Sequence, residues 1–110
     1  MVAFYKMSDD VFYLVGLENE LQQVDHMKLC WLFGGCELIP EEAIEGYFIG
    51  PRREMITPWS TNAVEITQNM GIKEIKRIEM FVRASEGDVF DPMLQASYHD
   101  LTQDIFAIYH

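Results

Sequence analysis

Long apolar runs are missing from this sequence. None approaches the ~20 residues that a bilayer-spanning helix needs, and Met1–Lys6 lacks the basic start and apolar stretch of a secretion signal. Cysteine is scarce: Cys30 and Cys36 are the only two. In a domain with an adequate core, two cysteines are expected to be free thiols, which fits a cytoplasmic chain. Positive charge is also sparse, with 8 Lys and Arg against 18 Asp and Glu and a net charge of −10. That balance argues against nucleic acid and anionic membranes as partners.

Several reactive constellations are absent too. No glycine-rich loop follows a strand and opens a helix, so a phosphate cradle is not expected; Gly34-Gly35 follows a helix instead. Serines are few, and none sits in a Gly-x-Ser-x-Gly elbow. Glu41 and Glu42 are adjacent and point apart in any regular element, so they do not form a catalytic carboxylate pair. His26 and Cys30 lie four apart on a helix with Cys36 six further on, but no second ligand pair accompanies them and His99 and His110 are isolated. The pattern falls short of a zinc site; a surface histidine and a core cysteine are the plainer reading.

What is present is material for a core. Hydrophobic residues make up 49% and aromatics 13% of 110 residues, enough for one folded domain. Val2–Met7 and Val11–Leu17 read as a hairpin around Ser8-Asp9-Asp10. Val24, Met27, Cys30 and Trp31 have helical spacing, and Gly34-Gly35 stops that helix. Ile44–Gly50 reads as a strand closed by Pro51, and Pro40–Ala43 as a loop. Thr57 and Pro58 open a second helix as cap and first residue; Trp59, Ala63, Ile66 and Met70 form its apolar stripe, and Gly71 closes it. Ile75–Ala84 is a strand, Asp91-Pro92-Met93-Leu94 a capped helical turn, and Ile105–Tyr109 a last apolar run. The order β-β-α-β-α-β predicts an α+β fold, a mixed or antiparallel sheet with two main helices on one face. The whole chain, 1–110, is one domain, and 88–110 is read as the start of a linker.

Charge is unevenly placed. Six of the eight basic residues fall between 52 and 83, a stretch that carries +2 and leaves −12 for the remainder. Within it, a strand end delivers Arg52 and Arg53 into a loop that feeds a hydroxyl-rich helix start: Thr57, Trp59, Ser60, Thr61 and Asn62. Unpaired N–H groups and the positive end of the helix dipole gather at such a start. These seven residues are the candidate site, a seat for an anion or for an acidic patch on a partner. The residues by themselves favour the plainer reading, a well-capped helix with Trp59 in the core.

The same stretch resembles the N-terminal domain of the long, single-chain phosphoribosylformylglycinamidine synthases. The resemblance rests on Pro51-Arg52, Thr57-Pro58-Trp59-Ser60-Thr61 and Asn69-Met70-Gly71, with looser support from Ile75-Lys-Arg-Ile-Glu79 and Lys28–Gly34. It implies a fold similar to the small accessory subunit of the three-subunit enzyme and a parent ligase of purine biosynthesis. That parent uses ATP, magnesium and glutamine-derived ammonia to convert formylglycinamide ribonucleotide to the amidine. By the same resemblance, the domain itself is non-catalytic and holds no cofactor. Its partners are the synthetase and glutaminase domains of its own chain, which these 110 residues do not include. Nothing around Cys30 or Cys36 resembles the glutaminase nucleophile. An exposed sheet edge or apolar patch also leaves room for a homodimer. A reading of a different class is a small-molecule-sensing α+β module whose helix N-terminus binds an effector.

Overall fold

A computed structural model describes residues 1–107; the end of the last apolar run (Ile108, Tyr109) and His110 lie outside the described residues. Eight elements follow in order: β1 (Val2–Lys6), β2 (Val11–Leu17), α1 (Gln23–Leu32), β3 (Glu37–Ile39), β4 (Ile44–Pro51), α2 (Pro58–Asn69), β5 (Ile75–Ala84) and β6 (Gln95–Leu101). The strands form one sheet in the order β3-β1-β2-β5-β4-β6, and every neighbouring pair is antiparallel. The α+β expectation therefore holds, with an antiparallel sheet and two helices packed on the same face.

Strand alternation divides the core in two. On one face, Tyr5, Val15 and Ile78 pack beneath Leu29 of α1 and Ala63 and Val64 of α2. On the other, Phe4, Phe12, Leu14, Phe48 and Phe81 pack with Leu101 and Ile105. The aromatic face has no helix over it; the chain after β6 returns to cover it. Val2 ties that return down, its N–H donating to Gln103 Oε1 at 2.7 Å while Gln103 Nε2 donates to the Val2 carbonyl at 2.9 Å.

Two strands escape the sequence pattern. β3 is only three residues long, and β6 (Gln-Ala-Ser-Tyr-His-Asp-Leu) has little β-branched character. β6 is held by its register against β4, from Pro51 opposite Gln95 to Ile44 opposite Leu101. It lies in the segment expected to begin a linker, and Leu101 and Ile105 are core residues. Asp91–Leu94 does form a capped turn, with the Met93 N–H on Asp91 Oδ1 at 3.0 Å, and it leads directly into β6.

Gly50 marks the closest approach in the sheet. A Cβ there would stand 2.4 Å from the Phe81 ring, so only glycine lets Phe81 lie across β4.

The cysteines differ from expectation: Cys30 and Cys36 form a disulfide, with their Cα atoms 5.0 Å apart. The cause is local. The glycine turn after α1 folds the chain back, the Gly35 N–H bonds the Cys30 carbonyl at 2.8 Å, and Cys36 returns beside the helix end. No described helix is long and apolar enough to cross a membrane.

Candidate functional site

The start of α2 is built as its residues predict. Thr57 Oγ1 accepts the Ser60 N–H at 3.0 Å, and Pro58 occupies the first turn. At the far end Gly71 takes a positive φ of 87°, and the Ile72 N–H reaches back to the Thr67 carbonyl at 3.0 Å, closing the helix.

What holds this start in place lies on the neighbouring strand. Arg77 and Glu79 are two apart on β5, so both point to the same face, and both are almost fully buried. Arg77 Nε donates to Glu79 Oε2 at 2.8 Å. Its remaining donors take three carbonyls of the 52–55 loop: Nη1 to Arg53 at 2.7 Å, Nη2 to Arg52 at 3.0 Å and to Met55 at 2.7 Å. The guanidinium also stacks 4.5 Å from the Phe106 ring centroid. Glu79 reaches the cap residue of α2: Thr57 Oγ1 donates to Oε1 at 2.6 Å and the Thr57 N–H to Oε2 at 3.3 Å. The anion at this helix start is therefore the protein's own Glu79.

Ser60 serves the sheet in turn. The pairing of β4 with β5 ends at Ile49 opposite Val82, leaving the earlier part of β5 without that neighbour. The Ile78 N–H there donates to Ser60 Oγ at 3.0 Å. Among the described residues, no buried side-chain polar atom lacks a partner.

The seven sequence-predicted residues thus separate. Thr57 and Ser60 are committed to the internal network. Arg53 turns inward, its Nε donating to the Ile105 carbonyl at 2.8 Å and its guanidinium 5.7 Å from the Tyr98 ring centroid. Arg52 reaches solvent and pairs loosely with Glu54 at 3.7 Å. Both arginines line an open cleft with Phe90, Gln95, Ser97 and Tyr98. Burial raises the Tyr98 phenol above its ordinary pKa, with Arg53 and Arg77 pulling the other way, and its hydroxyl donates to the Pro51 carbonyl at 2.7 Å. Thr61 and Asn62 are exposed.

Trp59 reverses the core expectation. It is 46% exposed and Ile66 is 48% exposed, whereas Ser60 and Thr67 are fully buried. The stripe Trp59-Ala63-Ile66 lines a groove with Tyr13, Leu32 and Phe33; Trp59 meets Tyr13 edge-on, with centroids 5.4 Å apart. On α1 the same inversion holds. Val24, Met27 and Trp31 face solvent, and Leu29 is the buried residue. His26 is engaged with Tyr5, whose hydroxyl bonds its Nδ1.

Arg77 and Glu79 are the residues that site-hunting along the sequence passes over. Their signal is an opposite-charge pair at i and i+2 among the buried positions of a strand whose other charges, Lys76 and Arg83, are exposed.

This architecture coincides with a known family. The model of the formylglycinamide ribonucleotide amidotransferase N-terminal family matches residues 10–105. The chain belongs to that family. The match spans every element from β2 to β6, so it takes in the Arg77–Glu79 network and the capped helix start together. A curated relative, phosphoribosylformylglycinamidine synthase of Drosophila melanogaster, is 51% identical over 35 residues, which are 32% of this chain and 3% of that protein. The chain therefore matches only a small part of that relative's length. No solved structure matches.

Proposed function

We propose that this member of the amidotransferase N-terminal family is a non-catalytic accessory domain of a phosphoribosylformylglycinamidine synthase. In this reading it docks through residues 50–62 onto the synthetase and glutaminase domains of its own chain. The parent uses ATP, magnesium and glutamine-derived ammonia in purine biosynthesis; this domain contributes geometry. The observation that carries the reading is the buried Arg77–Glu79 pair. It spends its hydrogen bonds on fixing the backbone of a surface loop, which preorganises that loop for recognition while Arg52 stays available to solvent. A guanidinium so placed suits a carboxylate or phosphate on the partner.

Replacing Arg52 and Arg53 together by alanine in the full-length enzyme tests the loop. The glutamine-dependent rate is expected to fall about tenfold relative to the ammonia-dependent rate, equivalent to roughly 1.4 kcal/mol of lost coupling. Unchanged assembly and unchanged rates with both nitrogen donors remove the loop from function. The parent is placed in the cytoplasm. The Cys30–Cys36 pairing argues the other way, and thiol counting on protein alkylated at lysis decides between them.

A second reading has one observation behind it, the open cleft that gathers Arg52, Arg53, Gln95 and Ser97 together with Glu54. A sensing module would bind a small anion there. Calorimetry of the chain with nucleotides and amino acids separates the two: tight binding favours the sensor, and silence favours docking.

A further inference from the structure

Cys30 and Cys36 are bridged in a domain that already has a core on each face of its sheet, and such a core makes a covalent staple unnecessary. The turn between them is also closed without sulfur. The Phe33 N–H donates to the Leu29 carbonyl at 2.9 Å, the Gly34 N–H to that of Trp31 at 3.1 Å, and the Gly35 N–H to that of Cys30 at 2.8 Å. Gly34 and Gly35 take positive φ values of 84° and 102°, which this reversal requires. Hydrogen bonds thus hold the two cysteines side by side, with Cα atoms 5.0 Å apart, whether or not a bond joins them. Both are half-buried and the glycines before Cys36 are exposed, which gives a small thiol access to the sulfurs. What the bridge adds lies beyond it. Cys36 leads straight into β3, an edge strand of three residues paired with β1 from Glu37 opposite Lys6 to Ile39 opposite Phe4. Inside the bridged loop, Phe33 meets Tyr5 and Tyr13 edge-on, with centroids 5.8 and 4.8 Å apart. So short an edge strand frays readily, and the bridge ties it to the end of α1.

We propose that Cys30 and Cys36 form a reversible redox clip. Closed, it pins β3 to the end of α1; open, it lets β3 and the Phe33 turn loosen while the rest of the domain stays folded. The co-reactant is a low-molecular-weight disulfide. In closing, one cysteine thiolate attacks a sulfur of that disulfide and expels one small thiolate, leaving a mixed disulfide. The other cysteine gives its proton to water, attacks the protein sulfur of the mixed disulfide and expels the second small thiolate. Two cysteine thiols are oxidised and one small disulfide is reduced to two thiols. Opening is the reverse, with two thiols consumed and the small disulfide returned. The turn favours the second step, since it holds the resolving sulfur next to the mixed disulfide. Structural bridges resist the glutathione pool, whereas exposed ones are labile. Bridges in cytoplasmic proteins are usually transient and redox-sensing, so a clip that opens and closes is compatible with a cytoplasmic parent. Loosening of β3 also uncovers the sheet edge at Phe4–Lys6. The clip is a property of the fold and holds whatever surface the domain docks by.

The test is a redox titration of the chain in glutathione buffers that run from fully oxidised to fully reduced. Free thiols are trapped by rapid alkylation, and the peptide carrying residues 30–36 is weighed. The bridged fraction should pass through one half inside that range, and from either direction. Hydrogen exchange on the same samples should be about tenfold faster at residues 36–39 in the reduced form, with Leu14 and Ile78 unmoved. The double variant Cys30→Ala/Cys36→Ala should show the reduced pattern in every buffer, which assigns the change to the bridge. A bridge still closed in fully reduced glutathione, or thiols still free in fully oxidised glutathione, overturns the proposal. Equal exchange in the two forms overturns it too. Faster exchange that extends to Leu14 and Ile78 makes the bridge a structural staple and ends the clip. The accessory-domain reading is judged separately, by the arginine variants, whose rates this titration does not touch.

Discussion

Helix α2 turns two polar residues fully inward and two large apolar ones partly outward. The side against the sheet holds Ser60 and Thr67, fully buried, while the outer side holds Trp59 and Ile66. The inner polarity is fully used: Ser60 Oγ takes the Ile78 N–H, and Thr67 Oγ1 donates to the Val64 carbonyl at 2.7 Å. Beside it, Arg77 and Glu79 are satisfied by each other and by loop carbonyls. Buried polar groups in such a network fix one geometry, because any displacement strands a donor or an acceptor. The outer side makes a looser contact, Trp59 edge-on to Tyr13. One side of α2 is built for position, and the other leaves large apolar side chains half exposed.

Breaking the inner network should have the largest effect. Glu79→Ala leaves the Arg77 guanidinium buried without its carboxylate and removes the acceptor of Thr57. Loss of one partner from a buried pair costs about 3–5 kcal/mol, and urea unfolding of the domain should show it as a lower midpoint. A midpoint near that of the wild type would mean that water reaches Arg77 and that the network does not set the loop. Next comes Gly50→Ala, which places a methyl against the Phe81 ring. Overpacking of this kind costs roughly 1–3 kcal/mol. Since Phe81 belongs to the aromatic cluster, the loss should appear in near-ultraviolet circular dichroism as well as in stability. Thr57→Val keeps the shape but deletes both the cap and the hydroxyl that donates to Glu79; a loss of about 1 kcal/mol or more is expected, and an undiminished melting temperature would show that the backbone N–H of residue 57 on Glu79 is enough to hold the helix start.

These comparisons also explain what was legible in the residues. The fold class, the first hairpin and both helices follow from local rules: alternation, Thr-Pro at a helix start, glycine at its end. The stripe Trp59-Ala63-Ile66 is equally legible as a pattern, but a pattern does not say which body it packs against. Hydrophobic spacing assigns it to the domain's own core, whereas the groove turns it outward. β6 is illegible for another reason: its strand character comes from pairing with β4, a non-local cause. The disulfide belongs to the same class, since only the turn geometry brings Cys36 back to Cys30. Arg77 and Glu79 were visible as residues and not as a site, because their importance lies in three loop carbonyls far away in the chain.

A pH effect of smaller size separates the inner face of α1 from its outer face. Burial holds His26 below its ordinary value of 6.5, while Asp25 and Glu20 pull it upward. With the folded value depressed, the native state favours the neutral ring, which accepts the Tyr5 hydroxyl bond. Above pH 6.5 neither state is protonated and this contribution is complete. As the pH falls below 6.5 the unfolded chain takes up the proton first, and stability declines until the folded ring is protonated too. His26→Gln should flatten the fall in melting temperature between pH 6.5 and pH 5; equal slopes in the two proteins would assign the acid sensitivity elsewhere.

The smallest expected effect is the sharpest check on the contrast. Trp31 is the largest apolar side chain on α1, and by size alone its removal should be severe, about 3–5 kcal/mol for a tryptophan in a core. At 77% exposure it touches little of its own domain. Trp31→Ala in the isolated chain should therefore stay within about 0.5 kcal/mol of the wild type. Two residues away, Leu29 is fully buried, and Leu29→Ala should cost about 2–5 kcal/mol. Chemical denaturation of the pair measures the difference directly. If Trp31→Ala proves as damaging as Leu29→Ala, the outer face stabilises the domain from within.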